Sequence, residues 1–395
     1  MSASSELKIT DVKVALVAGN FDWPLVRIET DGGITGYGEA FTDPNPYLVK
    51  RAVLDRKPRL VGQDPTQVVP LVGRMGLSPF DSVGARAISG IEMALWDITG
   101  KLLGAPVYKL LGGRYHDEVR IYCDCHGGTP IRTRADYRYD HPEDYTPEAF
   151  AANAHWIKSL GFTLLKFDLY GVPTELVTQH GAMHSTAHIA YCTAVVEALR
   201  EELGWNLDLA IDYGGKSVAD AIRLIDRIEP YRLSWAEDII PYNGYNADAM
   251  REVTRAVKTP TLTGELLFTA LAFRGLVSQQ AVRIVAPDMA VVGGINEIRK
   301  VAEMANLQHM LIAPHNVCSP IGTLAAVHAC ATMPNLVGLE YHSVGVPWWQ
   351  DMIQHEGNII DLRGCIRVPE APGIGAELNE EVIRQHLVAG ETYFD

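Results

Sequence analysis

The chain has 395 residues, and its 48 acidic and 34 basic side chains leave a formal net charge of −14 at pH 7. Hydrophobic residues make up 47% and charged residues 21%, a globular balance that excludes extended disorder, collagen and a disulfide-stapled miniprotein. At roughly 100–200 residues per domain, this length predicts two or three domains, or one large barrel with an addition. The acidic excess argues against nucleic-acid and anionic-membrane partners, because both require clustered Lys and Arg.

The sequence also bears on the cellular compartment. It has no run of about 18 or more apolar residues, so we expect no transmembrane helix. Residues 1–8 lack the apolar core of a signal peptide. The six cysteines include no Cys-x-x-Cys pair and are interpreted as reduced thiols. These features predict a cytoplasmic protein without a membrane partner.

The first part of the chain has the pattern of a small α+β unit. Three strand-like runs surround a turn at Asp31-Gly32-Gly33 and predict an antiparallel meander: Val12–Val17, Pro24–Thr30 and Ile34–Ala40. Helical periodicity follows over Ala85–Leu103. We place this unit at residues 1–117.

From residue 118 the pattern changes to short apolar runs that alternate with amphipathic segments. The eight runs are Val119–Cys125, Leu164–Asp168, Leu207–Asp212, Leu233–Glu237, Thr261–Glu265, Ile284–Asp288, Met310–His315 and Leu336–Tyr341. Such alternation predicts a parallel sheet, and its extent fits a (β/α)8 barrel. We assign residues 118–345 to this α/β barrel and expect residues 346–395 to return to the N-terminal unit.

Seven of the eight runs end in, or run straight into, a polar or ionisable residue. These residues are Asp168, Asp212, Glu237, Glu265, Asp288, His315 and Glu340. A lone Asp after a strand is more often a helix cap or a solvated loop residue. Seven in register favour convergence at one mouth, because a parallel barrel places all its strand C-termini on one face.

Three of these carboxylates suggest a metal site. Asp212, Glu237 and Glu265 close consecutive strands, at spacings of 25 and 28 residues. Carboxylates that meet at one mouth repel unless a cation compensates them, and hard oxygen ligands favour Mg²⁺. Side-chain alternation predicts that Asp238 points away from Glu237.

The following strands suggest proton transfer. Asp288 and His315 end neighbouring strands, so the Asp could fix the imidazole tautomer in a general acid/base pair. The alternative is a structural His bonded to a carbonyl group. Glu340 could donate a hydrogen bond to an oxyanion if protonated, or bind a hydroxyl group.

The second barrel strand brings a cation to the same mouth. Lys166 and Asp168 share the inward face, because side chains alternate with period two. They could form only a salt bridge. Lys166 could also stabilise an anionic intermediate, or act as a base if its pKa is lowered.

Several short motifs together resemble a known family. In the barrel they are Ile211-Asp212, Trp235-Ala236-Glu237-Asp238, Thr263-Gly264-Glu265, Ala286-Pro287-Asp288, Gly293-Gly294-Ile295-Asn296-Glu297 and Pro314-His315-Asn316; in the N-terminal unit they are Gly36-Tyr37-Gly38-Glu39-Ala40, Ala94-Leu95-Trp96-Asp97 and Leu111-Gly112-Gly113. In this order and spacing, the chain resembles the mandelate-racemase-like branch of the enolase superfamily over nearly its whole length.

The resemblance implies a capping domain over a modified (β/α)7β barrel with one essential Mg²⁺. It implies abstraction of a proton α to a carboxylate, with His315 and Asp288 as the acid/base pair. Most members of this type are acid-sugar dehydratases that form a 2-keto-3-deoxy acid, so the expected substrate is an aldonate of the gluconate or galactonate type. A homo-oligomer, from dimer to octamer, is also implied.

One departure from the family pattern affects the mechanism. Many relatives carry Lys-x-Lys on the second barrel strand, whereas this chain has Lys166-Phe167-Asp168. A two-base racemase is therefore disfavoured, and Tyr170 is a further candidate acid or base. The open alternatives are a racemase or epimerase, a galactarate-type dehydratase using Arg132, Arg134 or Arg138, and a non-catalytic sensor.

Substrate contacts are predicted from loops. Asn20 and Trp23 lie between two capping strands, in a segment that could close over the mouth, although Trp23 could equally be packing. His126 follows the first barrel strand and His342 follows the last, so either could bind a substrate hydroxyl group.

Overall fold

The computed structural model describes residues 7–41, 45–127, 142–169, 183–241 and 246–394. The N-terminal unit begins with an antiparallel sheet of three strands in the order β1 (Ile9–Ala18), β2 (Asp22–Thr30) and β3 (Thr35–Glu39). Its helices are α1 (Pro46–Leu60), α2 (Val68–Met75), α3 (Ser82–Leu103) and α4 (Val107–Leu110). The predicted meander and the long helix are both present.

The long helix α3 lies directly on the three-stranded sheet. Asp81 caps its N-terminus by accepting from Gly84 N at 2.8 Å, and Gly104 ends it in the left-handed conformation. A Cβ at Gly38 would lie 2.1 Å from the carbonyl oxygen of Gly90. Only glycine therefore allows the helix and strand backbones to approach this closely.

The second unit is a parallel barrel. Its strands are β4 (Glu118–Cys125), β5 (Leu164–Asp168), β6 (Asp208–Asp212), β7 (Ala236–Glu237), β8 (Thr261–Thr263), β9 (Ile284–Val285), β10 (Leu311–Ile312) and β11 (Leu339–Tyr341). They pair in sequence from β4 to β10, and β11 pairs with β4. A parallel bridge between Ile312 and Leu336 joins the two ends. The predicted (β/α)7β barrel with an N-terminal α+β unit is confirmed.

Helices surround the strands. They are α5 (Pro147–Ser159), α6 (Thr186–Leu203), α7 (Val218–Ile228), α8 (Ala247–Ala256), α9 (Thr269–Ser278), α10 (Met289–Val292), α11 (Ile295–Leu307) and α12 (Pro320–Cys330). Short 3-10 turns occupy Pro142–Tyr145, Glu229–Tyr231 and Gln350–Met352.

Most barrel strands are shorter than their apolar runs. The runs ending at Glu265, Asp288 and His315 leave the sheet two or three residues earlier. Pro287 and Pro314 have no N–H to donate to a neighbouring strand, and Gly264 has a φ of 136°. These functional side chains therefore lie on the turns above the strands.

A layer of apolar side chains fills the barrel beneath its mouth. It consists of Tyr122, Leu164, Ala210, Trp235, Leu262, Ile284, Ala286 and Ala313. Because side chains alternate along a strand, the residue two positions after a layer member points into the same interior, one step nearer the mouth. Lys166, Asp212, Glu237 and His315 all occupy such positions.

The C-terminal segment adds β12 (Cys365–Arg367), antiparallel to β4, and α13 (Glu380–Gln385). It also contacts the N-terminal sheet, since Ala18 N donates to His386 O at 2.7 Å and Val388 N donates to Leu16 O at 2.9 Å. These bonds support the proposed division at residues 117 and 345, which stays a prediction.

Two further observations concern the compartment. All six cysteines are free, and five of them are buried. In the part of the chain that the structure describes, none of the helices is long and apolar enough to cross a membrane.

Candidate active site

The C-terminal ends of the parallel strands bring the predicted site residues together. Strand register places Asp168 beside Asp212 and Asp212 beside Glu237. All three are at most 2% exposed. Because parallel neighbours keep the same direction, three carboxylates form one buried row across β5, β6 and β7.

Part of this row has the geometry of a cation site. Asp212, Glu237 and Asp238 each place a ligand oxygen within 4.8 Å of the other two. The buried atoms Asp212 Oδ1 and Glu237 Oε1 have no hydrogen-bond partner. Burial raises the pKa of Asp212 well above its ordinary value, and the carboxylate of Glu237 raises it further. These orphaned oxygens fit a divalent cation, which would satisfy them and remove their mutual repulsion.

Asp238 departs from the sequence prediction. Its backbone φ is 44°, in the left-handed region, so the period-two rule that turned it away from Glu237 was wrong here. Its carboxylate also accepts from the Thr263 hydroxyl group. An Asp directly after a strand is tolerated in this conformation more readily than most residues, which is the one signal the sequence offered.

Glu265 lies on the other side of the same cluster. Its Oε2 is 3.4 Å from His315 Nε2, and burial raises its pKa to about 8. Electrostatic repulsion from Asp212 and Glu237 acts in the same direction. Glu265 is therefore close to the carboxylate row, and its place as a third metal ligand stays a prediction.

Lys166 is the cation at the centre of these carboxylates. It is 1% exposed, and its Nζ lies 2.7 Å from Glu340 Oε1, 3.2 Å from Glu237 Oε2 and 3.8 Å from Asp124 Oδ2. Burial alone would lower its pKa, but the surrounding carboxylates hold the pKa of Lys166 well above its usual range. This environment favours charge compensation over a role as a base.

His315 and Asp288 form the predicted pair. His315 Nδ1 lies 2.6 Å from Asp288 Oδ2, so its partner is a carboxylate and not a carbonyl group. Asp288 Oδ1 accepts from Ala290 N at 2.6 Å, because Asp288 also caps the short helix α10. The cap fixes the carboxylate, and the carboxylate fixes the imidazole with Nε2 towards Glu265 and Glu340.

A second histidine–carboxylate cluster lies beside the first barrel strand. Asp168 Oδ2 is 3.2 Å from His126 Nδ1, and Asp124 Oδ2 is 3.0 Å from His342 Nε2. The two imidazoles approach with their Nε2 atoms 3.4 Å apart. Asp124 was missed because the first run ends in Cys125, yet it stands two residues after the layer residue Tyr122.

Asn20 and Trp23 of the capping unit have structural partners in the barrel and the C-terminal segment. Asn20 is fully buried, and its Nδ2 donates to His342 O at 2.8 Å. Trp23 is 2% exposed, donates from Nε1 to Val317 O at 2.9 Å and packs against Trp348. These contacts favour the packing role for Trp23. Tyr170 and the three candidate arginines lie outside the described residues.

Aromatic rings of the capping unit form one wall of the mouth. Phe21 contacts His342 with centroids 5.2 Å apart and lies 6.4 Å from Phe41, which lies 6.3 Å from His315. Both histidine–carboxylate clusters therefore meet the same apolar wall. Phe21 stands between the predicted residues Asn20 and Trp23 and was not singled out.

Comparison with known proteins agrees with this architecture. Residues 13–112 match the mandelate racemase / muconate lactonizing enzyme N-terminal domain, and residues 149–382 match the enolase C-terminal domain-like family. The chain is 37% identical to D-xylonate dehydratase of Haloferax volcanii, over 99% of this chain and 91% of that protein. It is 29% identical to D-galactonate dehydratase of Ralstonia pickettii, over 91% of this chain and 90% of that protein.

Solved structures with the same two-unit architecture are also similar to this chain. A mandelate racemase/muconate lactonizing enzyme-like protein from Rubrobacter xylanophilus superposes with a TM-score of 0.91 and 33% identity, over 99% of this chain and all of that one. A protein of the same description from Roseovarius sp. TM1035 has a TM-score of 0.82 and 31% identity, over 98% and 99% of the two chains. Enzymes of this superfamily use a divalent metal ion. The chain belongs to the mandelate racemase / muconate lactonizing enzyme family of the enolase superfamily.

Proposed function

We propose that the protein is a Mg²⁺-dependent dehydratase of aldonic acids. It removes the proton α to the carboxylate and expels the 3-hydroxyl group as water, leaving a 2-keto-3-deoxy acid. The observation that carries this proposal is the buried carboxylate row with orphaned oxygens beside the His315–Asp288 pair. Relatives that act on D-xylonate and D-galactonate support an aldonate substrate.

The metal would be held by Asp212, Glu237 and Glu265, with Asp238 as a further oxygen donor. All four offer hard oxygen atoms, which Mg²⁺ prefers. A divalent cation bound there supplies a Lewis acid that stabilises the negative charge developing on the substrate carboxylate.

The chain's own side chains then divide the remaining work. His315, held by Asp288, moves a proton at Nε2. Lys166 lies 2.7 Å from Glu340 and adds positive charge close to the metal ligands, which favours binding of an anionic substrate. Glu340 also accepts from the backbone N–H of Asn316 at 3.2 Å, which holds its carboxylate at the mouth.

Substrate contacts are assigned to the rim. We place His126 and His342 against the substrate hydroxyl groups, with Asn20 holding His342 in position. From the sequence, Trp23 stays a candidate substrate contact and Tyr170 a candidate acid or base. We further propose a cytoplasmic location, which the free cysteines support, and no nucleic-acid partner, which the net charge of −14 supports. A homo-oligomer is proposed from the family resemblance alone.

A screen of acid sugars with Mg²⁺ tests the function. The protein should convert at least one aldonate, with D-xylonate and D-galactonate tried first, into a semicarbazide-reactive 2-keto product. A chelator should abolish the product, and added Mg²⁺ should restore it. His315→Asn should lower turnover by roughly 10²–10⁴-fold while the protein stays folded. No turnover of any aldonate or aldarate, or full activity of His315→Asn, would contradict the proposal.

A further inference from the structure

The family's usual second base is replaced here by Asp168, and the structure shows what this carboxylate contacts. Asp168 ends β5 and lies 3.2 Å from Nδ1 of His126, which follows β4. The same kind of pair occurs at Asp288 and His315, on the other side of β11. The mouth therefore holds histidine–carboxylate pairs on both sides of the strand that carries Glu340.

Neighbouring groups determine which nitrogen of each imidazole carries the proton. Asn20 Oδ1 accepts from Phe21 N at 3.1 Å and from Ser343 Oγ at 3.2 Å, so its Nδ2 faces His342. Nδ2 lies 3.3 Å from His342 Nδ1, which must then accept. His342 accordingly carries its proton on Nε2 and donates to Asp124 at 3.0 Å.

The same reasoning applies to His126. Its Nδ1 faces the Asp168 carboxylate, which can only accept when ionised, so Nδ1 carries the proton. Its Nε2 faces the N–H of His342 at 3.4 Å and therefore presents a lone pair. This contact is longer than the bond from His342 to Asp124, so it can yield to a substrate at small loss.

Burial and charge keep this imidazole neutral. Burial lowers the pKa of His126 to about 3, with electrostatic contributions from His342 and Lys166 in the same direction and from Asp124 in the opposite one. The side chain of His126 is 14% exposed, whereas those of Asp168 and His342 are 2% and 5% exposed. His126 is thus the member of the cluster that the mouth can reach.

We propose that His126, positioned by Asp168, is a second proton-transfer residue of this site and accepts the substrate C2 proton at Nε2. This inference rests on the proposed function and divides the proton transfers between the two pairs. Asp168 acts only through His126 and is a positioning residue.

The transfers balance over one turnover. The C2–H bond breaks, its proton goes to His126 Nε2, and its electron pair moves into the carboxylate group to give an enediolate. That pair then forms the C2–C3 double bond as the C3–O bond breaks. The departing hydroxyl group takes a proton from His315 Nε2 and leaves as water. The enol then returns its O–H proton to His315, and His126 delivers its proton to C3. Both imidazoles end as they began.

A metal ion at this cluster is the competing interpretation. Asp124, His126 and His342 offer ligand atoms within 4.8 Å of one another. A metal ion bound at His342 Nε2 would need a lone pair on that nitrogen. The Asn20 contact places the lone pair on Nδ1 and the proton on Nε2. The hydrogen-bond directions therefore favour a proton-transfer cluster.

Deuterium exchange tests the assignment. The probe is the aldonate that the wild-type enzyme dehydrates, in D₂O with Mg²⁺, and proton NMR follows its C2–H signal. His315→Asn should lose dehydration yet still exchange the C2 proton, because His126 is intact. The double variant with His126→Asn should lose exchange as well. Exchange that is absent from His315→Asn, or that persists in the double variant, overturns the inference.

Steady-state kinetics separate catalysis from binding. His126→Asn should lower kcat by roughly 10²–10⁴-fold with little change in KM. A raised KM with unchanged kcat would assign His126 to substrate binding alone and overturn the inference. His155→Asn is the matched control, since the His155 side chain is 73% exposed and pairs with Glu202.

The positioning role of Asp168 has a readout that needs no turnover. Nitrogen-15 spectra of the metal-free protein at pH 7 should show His126 as the Nδ1–H tautomer. Asp168→Asn should change that tautomer, and Asp168→Glu should restore it together with part of kcat. A cationic or Nε2–H His126 in the wild type, or a second bound metal lost in His126→Asn, overturns the inference. A wild type that dehydrates no acid sugar refutes the proposed function itself.

Discussion

A single backbone angle decides what Asp238 contacts. With φ at 44°, its carboxylate turns towards Asp212 and Glu237 instead of the barrel exterior. The left-handed conformation is unfavourable for most residues and least so for Asn and Asp. Asp238 therefore places a carboxylate oxygen within 4.8 Å of ligand oxygens of Asp212 and Glu237, where the proposed metal ion would bind.

Replacing this carboxylate should weaken metal binding. Asp238→Asn should lower the affinity for Mg²⁺ or Mn²⁺ by roughly 10–100-fold, the range seen when a supporting carboxylate is lost. Calorimetric titration measures the affinity, and activity should recover at saturating metal. Asp226→Asn, at an exposed position on α7, is the control. Equal affinity in the two variants would contradict this role.

Lys166 has an equally local effect on stability. Removing it leaves Glu340, Glu237 and Asp124 buried without their cation. Lys166→Met should therefore abolish dehydration and lower the free energy of unfolding of the metal-free protein by about 3–5 kcal/mol. Urea titration measures the loss. Lys258→Met, whose side chain is 91% exposed, should change little, and a fully stable Lys166→Met would disprove the argument.

At the scale of elements, two carboxylates join the capping unit to barrel helices. Glu39, which ends β3, accepts from Ser319 N at 2.9 Å and Gly322 N at 3.2 Å at the start of α12. Glu92, on α3, accepts from Ile295 N at 2.8 Å and Asn296 N at 3.0 Å at the start of α11. Helix N-termini favour negative charge and leave N–H groups unpaired. Each carboxylate therefore supplies both an acceptor and a negative charge to the helix that it contacts.

A glycine makes the second contact possible. Gly294 has a φ of 96°, and a Cβ there would lie 2.3 Å from Glu92 Oε2. Gly294→Ala should therefore displace Glu92 and weaken docking of the two units.

These contacts predict a pH dependence. Burial raises the pKa of both Glu39 and Glu92 to about 7 from an ordinary 4.5. Between these values the folded chain holds protons that the unfolded chain has lost, so the free energy of unfolding should fall as pH rises from about 4.5 to about 7, by up to about 3 kcal/mol per group.

Glu92→Gln isolates this effect. The variant should show a flatter stability profile than the wild type when denaturant titrations at pH 5 and pH 7.5 are compared, because one of the two titrating groups is gone. Glu356→Gln, at an exposed loop position, should keep the wild-type slope. An unchanged slope in Glu92→Gln would show that Glu92 is ionised throughout this range.

At the scale of the whole molecule, the C-terminal segment closes the structure. Besides its bonds to β1, it buries Phe394 to 2% exposure, and the guanidinium of Arg27 lies 5.5 Å from that ring. A segment of about fifty residues thus contacts both the barrel and the capping sheet. Because it fixes one unit to the other, it should matter for stability more than for chemistry.

Truncating Phe394 tests this expectation. Phe394→Ala should lower the free energy of unfolding by roughly 3–5 kcal/mol, since a large buried ring is replaced by a cavity. Turnover at 25 °C should change little. Phe80→Ala is the control, because Phe80 is 96% exposed and its loss should fall within about 0.5 kcal/mol. Urea titration of both variants decides the matter; equal stabilities would contradict the prediction.

Much of the fold could be predicted from the local sequence pattern. Alternation of short apolar runs with amphipathic segments predicts a parallel barrel, and a barrel brings its strand ends together by geometry alone. Asp168, Asp212, Glu237 and Glu340 could therefore be assigned to one mouth from their positions at strand ends. Sequence spacing was sufficient because each residue's direction follows from the strand that carries it.

Only the tertiary structure decided which side chains contact each other at the mouth. Asp168 could have paired with Lys166 on its own strand, yet it lies against His126 from the neighbouring strand. Asp238 left the alternation because of its backbone angle. Which side chains pair depends on small differences in the distances between neighbouring strands and the capping loop. Sequence spacing does not contain these distances. The sequence therefore determined which groups reach the mouth, and the packing of the two units determined which of them pair with each other.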